Sequence, residues 1–248
     1  MKIGEIVQTE AKQTSKVIQE FSRFAHKYDT YNMIQAMVAT TLVKKLPRIT
    51  YENIIDIGCG SGEVYKNLQI QKVSVENFVA LDSAQTMLDI HRDEESITKI
   101  CANFNDREFA MQIPKREYDL LLSSSAIQWS TDLHYTMGEL SLLSSTFYGA
   151  VFTSGTFKTL HKTAKVDSPI YNAKMIQDTV NHFYKDTQFE VHHYSLEFAS
   201  TRDMFKYIKQ SGVSSGEKKL TYKQTKRLME TYPLNYLEFE VLFIEARK

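Results

Sequence analysis

The stretch Ile54-Ile55-Asp56-Ile57-Gly58-Cys59-Gly60-Ser61-Gly62 decides the fold. A short apolar run stops at a glycine, the pattern of a buried strand that leads into a tight turn. Glycines there permit positive φ and let the backbone approach a ligand closely. Glu63 to Leu68 reads as a helix start, so free amide groups stand just behind the loop. A second strand, Asn77 to Leu81, ends at Asp82, about 20 residues past the loop. An acid in that place reaches the ribose hydroxyls of a nucleotide bound across the strand ends. A plain structural turn with an unrelated acid downstream is the bland alternative, and the flanking strand and helix weigh against it. The nearer rival is a nicotinamide or flavin site, whose fingerprint is G-x-G-x-x-G. Glu63 falls where the third glycine belongs, which makes that the weaker reading.

The same rhythm extends outward. Residues 12–46 read as helical, with Val17, Ile18, Phe21, Phe24, Ala25 and Tyr28 at three- and four-residue spacing and Pro47 as the stop. Beyond the loop, Ala84 to His91 reads as helix, Ile97 to Cys101 as strand and Tyr118 to Leu122 as a fourth strand. Asp132 to Ser144 is an amphipathic helix and Tyr148 to Thr153 a fifth strand. This alternation implies an α/β fold, a doubly wound and mostly parallel sheet. Residues 154–187 break the rhythm and suit an inserted lid, with Ile170 to Tyr184 as an extra helix. Glu190 to Phe198 is strand-like, Ser200 to Asp203 forms a capping box for a helix to about Gln210, and Tyr236 to Glu245 suggests an antiparallel strand near the edge. One domain over 1–248 is expected: a helical cap (1–50), a cofactor-binding core (51–153), a substrate-side insertion (154–187) and the end of the sheet (188–248).

The chain has 248 residues, enough for one large domain with a real core. Its 30 basic and 30 acidic residues balance, which argues against a general nucleic-acid binder. Two cysteines, Cys59 and Cys101, make no disulfide framework. No apolar stretch approaches the ~20 residues of a membrane span and no signal peptide is evident, so a cytoplasmic protein with no membrane partner is expected. The pair His192-His193 lacks metal-ligand spacing, and no metal is expected.

Asp-x-Gly-x-Gly-x-Gly resembles motif I of the class I S-adenosylmethionine-dependent methyltransferases. That resemblance implies S-adenosyl-L-methionine as cofactor, held by the loop of Asp56, Gly58, Cys59, Gly60 and Gly62, with Asp82 on the ribose and Ser83 beside it. It further implies Met87 near the adenine, with Phe104, Ser123 and Tyr28 at the cofactor. Asn103 stands where the family has an acid at the adenine; its amide carbonyl can still accept from the adenine amino group.

Three more segments resemble a narrower family, the malonyl-[acyl-carrier-protein] O-methyltransferases of the biotin pathway. They are Phe21-Ser22-Arg23-Phe24-Ala25-His26-Lys27-Tyr28-Asp29 with Gln35 following, Ser123 to Trp129, and Phe152 to Leu160. Ile208 to Gly212 and Pro233 to Tyr236 are similar to further pieces of that family. Ser144 to Gly149 departs from it, as many relatives carry a proline and two glycines there. The resemblance implies esterification of the free carboxyl of malonyl-acyl carrier protein, or of malonyl-CoA. A carboxylate is already ionised at pH 7, so no general base is expected, only alignment and exclusion of water. Gln128, Trp129, Lys209, Lys158 and His161 are the candidates for positioning the acceptor. Lys158, Lys162 and Lys165, or Lys218, Lys219, Lys223, Lys226 and Arg227, could receive an acidic carrier. Each has an ordinary reading as solvated surface, and Trp129 as core. A methyltransferase for a quinone precursor or free dicarboxylate, and a non-catalytic binding module of the same fold, remain as alternatives.

Overall fold

The computed structural model describes residues 32–114, 117–210 and 221–248, the side chains of 209 and 210 excepted. The segment Phe21 to Asp29, with Tyr28, lies outside them, as do Ser211 to Gly216, Lys218 and Lys219. The elements run α1 (Met33–Lys44), β1 (Thr50–Ile57), α2 (Glu63–Ile70), β2 (Ser74–Asp82), α3 (Gln85–Ile90), β3 (Ile97–Cys101), β4 (Leu120–Ser124), α4 (Leu133–Leu143), β5 (Thr146–Phe152), α5 (Lys158–Ala164), α6 (Ala173–Phe183), β6 (Asp186–Glu197), α7 (Thr201–Gln210), α8 (Tyr222–Thr231) and β7 (Tyr236–Arg247).

The seven strands stand in the order β3-β2-β1-β4-β5-β7-β6. β1 pairs in parallel with β2 on one side and β4 on the other. The chain winds outward one way through β2 and β3, then returns and winds the other way through β4 and β5. The carboxyl ends of β1 and β4 therefore part at a switch point, where such sheets bind ligands. β7 is antiparallel to both β5 and β6. It lies one place in from the edge, and β6, half-exposed along its whole length, is the edge strand.

Strand periodicity sorts the apolar residues onto two faces. Ile54, Phe78, Leu120, Leu122 and Phe239 pack with α1, α2 and α7 on one face. Ile55, Val79, Leu121, Phe147 and Leu242 pack with α4 and α6 on the other. Ile176, Val180 and Tyr184, spaced by four and all buried, put α6 into that second core. Part of the expected insertion is therefore a layer of the fold, and residues 154–172 are what overlies the cleft. The helix starts carry local signals: Asp132 Oδ1 accepts from the Tyr135 amide at 2.9 Å and Asn172 Oδ1 from the Met175 amide at 2.9 Å. At α7 the Asp203 amide donates to Ser200 Oγ at 3.1 Å, and the Ser200 hydroxyl donates to Asp203 Oδ2 at 2.6 Å, so the side chains bond to each other where a capping box would return to the Ser200 amide. Thr221 and Gln224 form a full capping box at α8, a helix whose residues read in the sequence only as a basic run. No helix among the described residues is long and apolar enough to cross a membrane.

Phe239 on β7 is buried and meets Phe157 edge-on, with ring centroids 5.1 Å apart. Phe239→Ala is expected to cost about 3–5 kcal/mol, read as a lower midpoint in urea unfolding with the slope unchanged.

Candidate active-site cleft

The glycine loop is built by hydrogen bonds that turn the chain back on β2. The Gly58 and Cys59 amides both donate to the Leu81 carbonyl, at 2.8 and 3.0 Å. Gly58, Gly60 and Gly62 all have positive φ. At Gly58 a Cβ would stand 2.2 Å from Ala126 Cβ, so only glycine lets β1 and the β4 exit close together. Gly62 caps α2 in the left-handed conformation and presses on the buried ring of His91. At Gly60 a Cβ would meet nothing within 4 Å. The loop thus shows glycine for packing at one end and open space in the middle.

Asp82 stands at the wall of the cleft. Its Oδ2 accepts from the Gly60 amide at 2.9 Å and its Oδ1 from the Ala84 amide at 2.8 Å. Those two bonds fix the carboxylate, and each oxygen keeps a lone pair. Burial raises its pKa, and the amides of Ala84 and Gly60 oppose the rise. Asp56 is fully buried, and neither carboxyl oxygen has a partner among the described residues. Burial first, and then the charge of Asp82, push its carboxyl up to about 8. Burial also pushes the Cys59 thiol well up, and holds His91 below its ordinary value.

A cleft of about 740 Å³ opens at the switch point. It gathers Gly58, Cys59, Gly60, Asp82, Ser83, Met87, Asn103 and Phe104 on the loop side. Gln128, Trp129, Lys158 and His161 line the other side. Asn103 Oδ1 accepts from the Asn105 amide at 3.0 Å, which locks its side chain in the β3 exit loop. Three expected residues stand apart. Asp56 and Gly62 are behind the loop, not on the cleft surface. Ser123 is buried in β4 and its hydroxyl donates to the Ile57 carbonyl at 2.8 Å, tying β4 to β1. Ser124 and Ser125 reach the cleft in its place. Lys209 lies on α7 with its side chain outside the described set.

At its inner end the cleft narrows to a chamber of about 40 Å³, lined in part by Gln35, Ser125, Gln128, Trp129, Phe157 and Ser168. Ser125 belongs to the resembling segment Ser123 to Trp129 but is not singled out there, and Ser168 sits in an irregular loop that carries no signal in the sequence. Gln35 enters from α1, far away along the chain.

Residues 55–143 match the methyltransferase domain family. A malonyl-[acyl-carrier protein] O-methyltransferase of Acetivibrio thermocellus is 28% identical over 94% of both chains. A second protein of that name, from Bacillus cytotoxicus, is 24% identical over 84% of this chain and 79% of its own. Among solved structures, the YcgJ protein of Bacillus subtilis superposes with a TM-score of 0.63 at 10% identity, over 86% of this chain and 98% of that one. The plantazolicin methyltransferase BpumL in complex with SAH gives 0.54 at 12% identity over 98% of both.

Two outcomes are expected here. Gly58→Ala forces the left-handed backbone onto a side chain and collides with Ala126, so the thermal midpoint of the free protein should fall by several degrees. Asp56 concerns pH. A raised carboxyl binds a proton in the folded state that the unfolded chain, near 3.8, has released. Stability from this group is full below that value and is lost as pH rises through about 8. Asp56→Asn should therefore gain on the parent protein between pH 5 and pH 8 in paired unfolding titrations, by up to ~1.4 kcal/mol per pH unit. A constant difference across that window would contradict the assignment.

Proposed function

Starting from a chain that has the class I methyltransferase fold and a methyltransferase domain over residues 55–143, we propose that it esterifies the free carboxyl of a malonyl thioester, with S-adenosylmethionine as methyl donor. The observation that carries the acceptor is the name shared by relatives that match most of both chains. The thioester partner in this reading is an acyl carrier protein, with coenzyme A as the alternative, and the setting is the cytoplasmic start of pimeloyl synthesis for biotin.

The donor site fits what the residues offer. Asp82, held by two backbone amides, has lone pairs left for a pair of ribose hydroxyls. The open space over Gly60 takes the methionine part, and the buried carboxyl of Asp56 beneath the loop favours a cationic neighbour. Met87, Phe104, Asn103 and Ser83 line the side expected to receive the adenosine. When bound, the donor supplies a methyl carbon on a sulfonium: the carboxylate oxygen bonds to that carbon as the C–S bond breaks, and its electron pair stays on sulfur. No proton moves, so the chain has only to orient the acceptor and exclude water. Gln128, Trp129 and His161 stand where that orientation is needed, and Lys158 at the exposed side. Helices α5 and α8 are in contact. Lys158, Lys162, Lys165, Lys223, Lys226 and Arg227 therefore lie on neighbouring elements and can meet an acidic carrier together.

The test offers radiolabelled S-adenosylmethionine with malonyl-carrier protein, malonyl-CoA and free malonate in parallel. Base-labile label on the thioesters, with preference for the carrier form, is the expected result. Cofactor binding without transfer to any malonyl species would overturn the acceptor. Gly60→Ala puts a Cβ into open space but onto a left-handed backbone, so cofactor affinity in calorimetry should fall at least tenfold, with a smaller drop in the thermal midpoint than Gly58→Ala, which also collides with Ala126.

A further inference from the structure

The inner chamber concentrates polar atoms that have no partner among the described residues. Ser125 Oγ, Ser168 Oγ, Trp129 Nε1, Gln128 Oε1 and Gln35 Oε1 are all buried and without a partner, and all five residues line it. A buried polar group left unpaired costs about 1–3 kcal/mol. Five around one small space are a concentration that folding alone does not select. Backbone strain gathers at the same place. Of four non-glycine residues with positive φ among the described ones, Ser125 at 61° and Phe157 at 56° both line the chamber. The Gln128 amide nitrogen donates to the Ser125 carbonyl at 2.6 Å, so one hydrogen bond fixes both residues.

We infer that this chamber is the acceptor subsite, that it takes a carboxymethyl-sized anionic group, and that Ser125, Ser168 and Trp129 position it with neutral donors. The inference rests on the carboxyl-methylation reading and deepens it. Size comes first. A water needs roughly 10–15 Å³ of such space, so about 40 Å³ admits a small branched group such as CH2–COO⁻ and not an aromatic ring. Chemistry comes second. Two hydroxyls and one indole N–H are three donors for two carboxylate oxygens, and a rotated Gln35 amide presents a fourth. The reaction cancels a negative carboxylate against a positive sulfonium, so charge falls in the transition state. A cation clamped on the carboxylate would stabilise the ground state more than the transition state and slow transfer. Neutral donors orient the oxygen without that penalty. The positioning that the sequence analysis gives to lysine is assigned here to hydroxyls, and Lys158 stays exposed.

The chain's single tryptophan, Trp129, reports on the chamber directly. With the donor site saturated by S-adenosylhomocysteine, malonyl-pantetheine should change its fluorescence saturably, at concentrations at least tenfold below acetoacetyl-pantetheine, the neutral isostere. Ser125→Ala/Ser168→Ala should abolish that preference, and Ser168→Ala alone should weaken it while cofactor affinity stays within twofold. Ser168→Ala alone should raise KM for the malonyl thioester with kcat little changed, and Ser168→Thr should restore it. Equal response to the two thioesters, or an unaltered preference in both serine variants, would overturn the inference. A malonyl-selective response in a protein that methylates no malonyl thioester would support the chamber and overturn the function proposed above.

Discussion

Asp82 ends β2 and Asp56 is the last residue but one of the adjacent parallel strand β1, and burial holds the carboxyls of both above the ordinary range. Ionising both acids there is costly, because burial and mutual repulsion each disfavour the second charge. The Asp82 carboxylate is met by the amides of Gly60 and Ala84, and this couples the loop after β1 to the turn after β2. Asp56 has no such compensation. The loop between them is glycine-rich for two separate reasons: close packing on Ala126 at Gly58, and left-handed backbone at Gly58, Gly60 and Gly62. Of the two acids, Asp82 is the one on the cleft surface, and Asp56 is buried behind the loop with its carboxyl raised to about 8.

The half of the sheet around the glycine loop was legible because its signals are local. A strand, a glycine loop, a helix start and an acid at the next strand end fall within 30 residues, and the fold keeps that order. Where reading failed, the cause was geometric. The fourth strand was read as Tyr118 to Leu122, whereas β4 runs Leu120–Ser124. Side chains alternate along a strand, and chain leaves the sheet only past its end. A shift of two residues therefore moves the cleft-lining position from Ser123 to Ser124 and Ser125. The acceptor side was less legible. Gln35, Ser125 and Ser168 come from three distant stretches, and no periodicity or spacing joins them. α8 escaped notice because only Leu228 of its residues is buried, too few to write a helical pattern.

Specificity in the inner chamber depends on a rigid wall, and the position of β7 provides it. The turn after β5 is pinned to β7 along its length. Thr153 Oγ1 donates to the Glu240 carboxylate, Thr156 Oγ1 to the Glu240 carbonyl at 3.1 Å, and the Phe157 amide to the Glu238 carbonyl at 2.8 Å. Gly155 leaves room for the Glu240 side chain, which a Cβ would strike. These bonds hold Phe157 in its left-handed conformation and press its ring on Phe239. A parallel strand beside β5 would reach this turn with its own carboxyl-terminal exit. An antiparallel one brings a strand start here, and leaves Glu238 and Glu240 free to grip the turn. The reversed strand thus does for the acceptor side what the glycine loop does for the donor side: it fixes backbone against backbone, so that a few uncharged side chains can hold one carboxylate in line.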